Sequence, residues 1–312
     1  MIFRRFAVFC ALSLLLLALV PLLSAATGTS MNFGAVAARA SAETGIPWTS
    51  NLWNILRLAI AEPGLWLLVL GSSVPTLAAI VTLAIFRDGQ RALALIRSFR
   101  PTGNATDGAT RMAAGYALLF ALIVLCLFCT LGLRSILAPG VYVSTIAPSP
   151  MAFLIALLAA AFLDQGAVLE EAGWRGYATP LLSGSAMSPL AASLAVGLVW
   201  GLWHIPRDVV SGVIERLGVL TYLVAFLPSF VLGTLAVSVV AVYFMNRAGG
   251  SLWPAIIAHG LTNDAMGIAG SVTIETALTP AHQITKALPL TLLAVALIAI
   301  GGKHLNSGTK TP

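Results

Sequence analysis

Charge is scarce in this chain: only 9% of its 312 residues are Asp, Glu, Lys or Arg. Ordinary soluble domains carry about 25%, so a water-facing surface of normal extent is excluded. Cysteine is also scarce, and Cys10, Cys126 and Cys129 all lie inside apolar runs. Cys126 and Cys129 have CxxC spacing, but no second Cys or His pair accompanies them, so reduced, packed thiols are expected. The sequence closes on Lys310-Thr311-Pro312 and offers no terminal cysteine to prenylate, so the chain is not expected to be a prenylated protein itself. Internal repeats and long low-complexity tracts are lacking as well.

What is abundant is apolar side chain. Hydrophobic residues make up 59% of the chain and its mean hydropathy is +0.96, against roughly 45 to 50% apolar usage in soluble domains. A hydrocarbon core of ~30 Å needs about 20 apolar residues per helix. Such runs recur near residues 6 to 23, 64 to 86, 112 to 133, 150 to 171, 189 to 206, 219 to 245, 252 to 270 and 287 to 301. The expected fold is all-α, a polytopic transmembrane bundle of about eight spans in one integral membrane domain. The first run follows Arg4 and Arg5 and precedes Ser24-Ala25-Ala26, which suits either a cleaved signal peptide or a retained helix. Its length exceeds a usual signal core of roughly 7 to 15 residues, so retention is expected.

The formal charge of +6 raises nucleic-acid binding, but the basic residues cluster beside apolar runs and read as topology signals. No nucleic-acid partner is expected. The segment 87 to 111 carries Arg87, Arg91, Arg97, Arg100 and Arg111 against Asp88 and Asp107, and Arg247, Lys303 and Lys310 fall on the same side. Both termini are therefore expected in the cytoplasm, with segments 24 to 63 and 207 to 218 opposite. Pro101-Thr102-Gly103-Asn104 and Ala248-Gly249-Gly250-Ser251 read as turns.

Against this background a few polar residues stand out. Asp164, Glu170, Glu171 and Arg175 in lipid would together cost on the order of 10 kcal/mol, so they must face protein, water or each other. At 100° per residue Asp164, Glu171 and Arg175 share one helical face while Glu170 points about a quarter turn away. Glu171 and Arg175, at i, i+4, suit an ion pair. Glu170 is left as the freer carboxylate, suited to take a proton from water. His204 closes the run Trp200-Gly201-Leu202-Trp203-His204. His259 and Asn263, also i, i+4, share a face, with Gly260 allowing close approach of a neighbour. Each feature alone also suits helix glue or interfacial anchoring. Together they place a base, a charge partner, imidazoles and an amide donor on three apolar segments, and a shared polar cavity inside the bundle is the economical reading.

These residues resemble the CAAX prenyl endopeptidase and bacteriocin-processing (CPBP or ABI) family of intramembrane proteases. That family carries EExxxR, then an aromatic four residues before a histidine, then HxxxN. Here these are Glu170-Glu171 with Arg175, Trp200 with His204, and His259 with Asn263. Trp200 stands where the family commonly has Phe, and Asp264 beside Asn263 is an extra acid. The resemblance covers about residues 150 to 270, with spans one to three in 1 to 149 and the last span and tail in 271 to 312.

The resemblance implies a membrane-embedded peptidase acting on a lipidated or membrane-associated peptide or protein in the bilayer, in a bacterial inner membrane. It implies that Glu170 activates water with help from His204, that Glu171 and Arg175 support that geometry, and that His259 and Asn263 stabilise the oxyanion. The family has been argued both as metalloprotease and as metal-free glutamate protease. Glu170, His204 and His259 would be the zinc ligands, but HExxH is absent, and no cofactor is expected as the working case. Other readings of the same residues are a non-enzymatic immunity or scaffold protein and an ion or proton transporter using Asp164, Glu170 and Glu171 as a relay.

Overall fold

The computed structural model describes residues 1–102, 109–137, 149–183, 186–269 and 279–305, with the backbone alone described at 109–111 and 264–269. Expectations that fall on Gly103, Asn104, Asp107, Lys310 and the side chains of Arg111 and Asp264 lie outside the described residues. The described residues form helices throughout, with no strand beyond one isolated bridge between Asn51 and Asp164. The helices are α1 (Ile2–Thr27), α2 (Phe33–Thr44), α3 (Leu52–Ala61), α4 (Trp66–Ile85), α5 (Gly89–Ser98), α6 (Ala109–Leu137), α7 (Pro150–Leu163) and α8 (Gln165–Gly173). They continue with α9 (Thr179–Ser183), α10 (Pro189–Trp203), α11 (Ile205–Val210), α12 (Val213–Leu217), α13 (Val219–Thr221), α14 (Leu227–Arg247), α15 (Trp253–Ala269) and α16 (Pro280–Gly301).

Every expected apolar run falls on a helix, and six of the helical stretches are long and apolar enough to cross a membrane. The runs at 150 to 171 and 252 to 270 fall on helices shorter than a full span: α7 has 14 residues and α15 has 17. Local chemistry sets the starts. Ser149, Ser188 and Thr279 cap α7, α10 and α16 through side-chain oxygens, and Pro150, Pro189 and Pro280 follow at the first helical position, where a missing N–H removes no bond. Segment 24 to 63, expected only as a connection, forms α2 and α3. Their buried faces, including Val36, Ala40, Leu58 and Ala59, make a small core with Leu65 just beyond α3.

One face of the bundle gathers the end of α4, α5 and the start of α15. Arg5 pairs with Asp88, Leu252 N–H donates to Ser98 O at 2.7 Å, and Trp253 Nε1 donates to Phe99 O at 2.9 Å. Asn246 Nδ2 donates to Leu305 O at 2.9 Å, which brings in the ends of α14 and α16. At Asp88, burial opposes ionisation, but the hydrogen bonds from Arg91 and the charges of Arg91 and Arg5 outweigh it and hold the carboxyl below its ordinary value. Helix α1 belongs to the same core: Phe9 is fully buried, 5.3 Å ring to ring from Trp174 and 5.5 Å from Tyr177.

The fourth run departs from a single helix. Asp164 has φ −59° and ψ 126°, which ends α7, and its carboxylate then caps α8 by accepting from Ala167 N–H at 2.7 Å. Gln165 holds the break in place. Its N–H donates to Ser50 O at 2.8 Å and its side-chain amide donates to Ser72 Oγ at 2.6 Å on α4. The chain then runs on through a π-turn at Trp174–Ala178 into α9, so this segment reaches Ser183. Asp164 and Arg175 are therefore joined by a capped break and a π-turn, which corrects the uniform 100° spacing applied to them. Gly260 works as expected: a β-carbon there would stand 2.1 Å from Ala160 O, so only glycine lets α15 cross α7 this closely.

Candidate active site

Glu170 and Glu171 leave the middle of α8 in different directions. Glu171 is fully buried, and its Oε1 accepts from Arg175 Nη1 at 2.7 Å and from His259 Nδ1 at 2.8 Å. The expected ion pair is present, and a histidine from α15 joins it. The π-turn that follows Gly173 carries Arg175 within this reach and lays its guanidinium over the Trp200 ring, 4.3 Å from the centroid. Arg175 Nε and Nη2 and Glu171 Oε2 are buried without a hydrogen-bond partner among the described residues.

Glu170 is 7% exposed and faces the other way, towards α10. Trp200 Nε1 donates to its Oε2 at 2.9 Å, while Oε1 accepts no hydrogen bond from the described residues. One turn beyond, His204 places Nδ1 2.8 Å from Trp200 O. A carbonyl only accepts, so Nδ1 carries the proton and the neutral ring presents Nε2 as an acceptor. The Trp200 and His259 rings meet edge-on at 4.8 Å. Asn263, one turn along α15 from His259, donates from Nδ2 to Asp164 Oδ1 at 3.2 Å.

All six residues singled out from sequence thus lie in one neighbourhood built by α8, α10 and α15. Glu170, His204, His259 and Asn263 line a cavity of about 140 Å³. Glu171 and Arg175 stand behind it as a buried support. The cavity is also lined by Arg207, Ser229 and Lys286 from α11, α14 and α16. Those residues lie near the starts of α14 and α16, so the cavity sits in the half of the bundle away from Arg5 and Asp88. The tertiary role of Trp200 was not read from sequence, where it counted only as an aromatic; its indole N–H, a donor that Phe lacks, was the available signal. The contact between Asp164 and Asn263 was missed too, because it depends on the helix break.

Glu170, His204 and His259 are the side chains expected to hold a zinc ion if one binds. Among the described residues no three His, Cys, Asp or Glu side chains are grouped to hold an ion. The Nδ1 atoms of both histidines are held, by Trp200 O and by Glu171, which leaves Nε2 of each ring as the nitrogen that could face an ion. No step below runs through a metal.

A helical bundle with buried carboxylates and imidazoles and an amide around a cavity defines a polytopic membrane protein with a polar centre among its helices. Residues 146–264 match the family described as Type II CAAX prenyl endopeptidase Rce1-like. A CAAX prenyl protease 2 of Methanococcus maripaludis is 33% identical over 114 residues, which cover 36% of this chain and 38% of that protein. The matched segment therefore spans well under half the length of that relative. This segment, which holds all six site residues, is what the chain shares with CAAX protease-like membrane proteins.

Proposed function

We propose that this protein is an intramembrane endopeptidase that hydrolyses a peptide bond in a lipid-anchored or membrane-associated peptide or protein. The observation that carries the reading is the division of labour at Glu170: Oε2 is held by Trp200 N–H at 2.9 Å while Oε1 is left for a reactant beside the cavity. A carboxylate fixed at one oxygen and open at the other is suited to general-base work.

In the proposed reaction Glu170 takes one proton from water as the water oxygen bonds to the scissile carbonyl carbon. The carbonyl π electrons move to its oxygen, giving a tetrahedral oxyanion. Asn263 donates to that oxyanion through its amide, and His259 donates through Nε2 when both ring nitrogens are protonated. Glu171, which accepts from His259 Nδ1, is placed to balance the charge of that ring. Collapse reforms the C=O bond and breaks the C–N bond, and the proton held by Glu170 passes to the leaving nitrogen. The products are a carboxylic acid and an amine. His204, with Nε2 as acceptor, assists in orienting the water. We propose a metal-free reaction.

The Arg-rich segment after α4 further supports termini on the cytoplasmic side, and a bacterial inner membrane is the proposed location. With that orientation the cavity lies in the half of the bundle away from the cytoplasm. The direct test uses purified protein in phospholipid vesicles with lipidated fluorogenic peptides. Hydrolysis by the wild type and its loss in Glu170→Gln, with folding and expression intact, are the expected results; equal turnover by both removes Glu170 from the reaction.

A further inference from the structure

Gly166, one turn before Glu170 on α8, has no role in the family pattern, yet the site closes around it. A β-carbon built on Gly166 would stand 3.3 Å from Asn263 Nδ2, 3.4 Å from Asp164 Oδ1 and 3.5 Å from Glu170 Oε1. Three polar atoms from α8, α15 and the break before α8 thus surround the one position on this turn that carries no side chain. Asp164 is 1% exposed and its Oδ1 is anchored from two directions, by Ala167 N–H at 2.7 Å and Asn263 Nδ2 at 3.2 Å. Glu170 is 7% exposed, with its other oxygen taken by Trp200.

We propose that the water consumed in the reaction binds over Gly166, between Glu170 Oε1 and Asn263 Nδ2, and that Asp164, which holds the Asn263 amide, is a positioning residue of the site. The inference rests on the hydrolytic reading above. Buried waters are held by about two to four polar partners, and this set has the right polarity. Glu170 Oε1 takes one hydrogen of the water and His204 Nε2 the other, and the Asn263 amide donates to one lone pair, while Asp164 Oδ1 is filled by Ala167 N–H and Asn263. The second lone pair stays free for the carbonyl carbon. Of the two hydrogens on Asn263 Nδ2, one is committed to Asp164, so Asp164 sets the direction of the other. Attack moves a proton from this water to Glu170 Oε1, and the amide hydrogen that held the water is then beside the new oxyanion. The break between α7 and α8 is what makes the arrangement, because it turns Asp164 out of helical register and over the first turn of α8.

Two substitutions separate this role from folding. Gly166 has ordinary helical backbone, so Gly166→Ala is compatible with the helix, but its methyl group enters the space between the three polar atoms. The expected result is an unfolding temperature no lower than wild type and a kcat about 100-fold lower, the scale of a displaced reactant, with KM little changed. Asp164→Ser keeps a capping oxygen but no longer reaches Asn263. Its kcat is expected to fall about tenfold, roughly one hydrogen bond to a charged group, and Asp164→Asn, which retains an acceptor at the same reach, should recover most of that loss. Wild-type kcat in Gly166→Ala, or equal loss in the Ser and Asn variants, overturns the proposal. A density map that resolves ordered water gives a reading independent of turnover. Water within hydrogen-bond reach of Glu170 Oε1 and Asn263 Nδ2 in the wild type, absent from Gly166→Ala, supports the proposal, and its absence from the wild type overturns it. If an S-farnesylated fluorogenic peptide in phosphatidylcholine vesicles is left intact by wild type and Glu170→Gln alike, the hydrolytic reading fails, and the map still decides whether this water site exists.

Discussion

The indole N–H of Trp200 donates to Glu170 Oε2 at 2.9 Å, and the same ring carries the Arg175 guanidinium 4.3 Å from its centroid. One side chain therefore fixes the proposed base and covers the cation that holds Glu171. The two functions can be separated. Trp200→Phe keeps an aromatic face for Arg175 and removes only the donor. A hydrogen bond to a charged group contributes roughly 1.5 to 3 kcal/mol, and kcat is expected to fall about 10- to 100-fold as Glu170 loses its fixed orientation. The unfolding temperature should move little. Steady-state kinetics beside thermal unfolding in the same detergent checks this, and an unchanged kcat would mean that Glu170 needs no such constraint.

Glu171 lies at the meeting point of Arg175 and His259, with both bonds on one oxygen. Removing one member of a buried charged set leaves the others uncompensated, at a cost of roughly 3 to 5 kcal/mol. Arg175→Met is expected to lower stability by that order, and Glu171→Gln to lower it less, because the amide oxygen still accepts from Arg175 or His259. The ordering is the informative part. Chemical unfolding in mixed micelles reads it, and a Glu171→Gln variant less stable than Arg175→Met would contradict the arrangement.

Much of this was legible before any coordinates. The apolar runs specify the helices because hydrocarbon demands internally satisfied backbone, and the Glu171–Arg175 pair follows from one helical turn. His259 and Asn263 do line one cavity, with His259 buried and Asn263 open to it, and Gly260 does admit a close neighbour. The break at Asp164 was not legible. No proline or glycine precedes it in Phe162-Leu163-Asp164, and it is held from outside the segment, by Ser50 O and Ser72 Oγ acting on Gln165. Helices α2 and α3 were missed because they are short and cover a core separate from the main one. The bond from Trp200 to Glu170 spans 30 residues of sequence, and no periodicity encodes it.

The position of the cavity gives a last prediction. Ser98 lies on the face that also holds Arg5 and Asp88, where its carbonyl accepts from Leu252 N–H, while Ser229 lines the cavity near the start of α14. Of the native cysteines, Cys10 and Cys126 are largely buried and Cys129 faces outward from α6 among apolar neighbours, so a variant with all three replaced by Ala supplies a clean background. In that background Ser229→Cys and Ser98→Cys report opposite sides of the membrane. With the termini in the cytoplasm, a membrane-impermeant maleimide added to intact cells should label Ser229→Cys and spare Ser98→Cys, and permeabilised cells should label both. The reverse pattern would place the basic segment outside and turn the cavity towards the cytoplasm. The geometry of Glu170, Trp200 and His259 would stand in either case, but the substrate would have to be presented from the other leaflet. The labelling pattern therefore decides from which side lipidated peptides must be offered in any assay of Glu170.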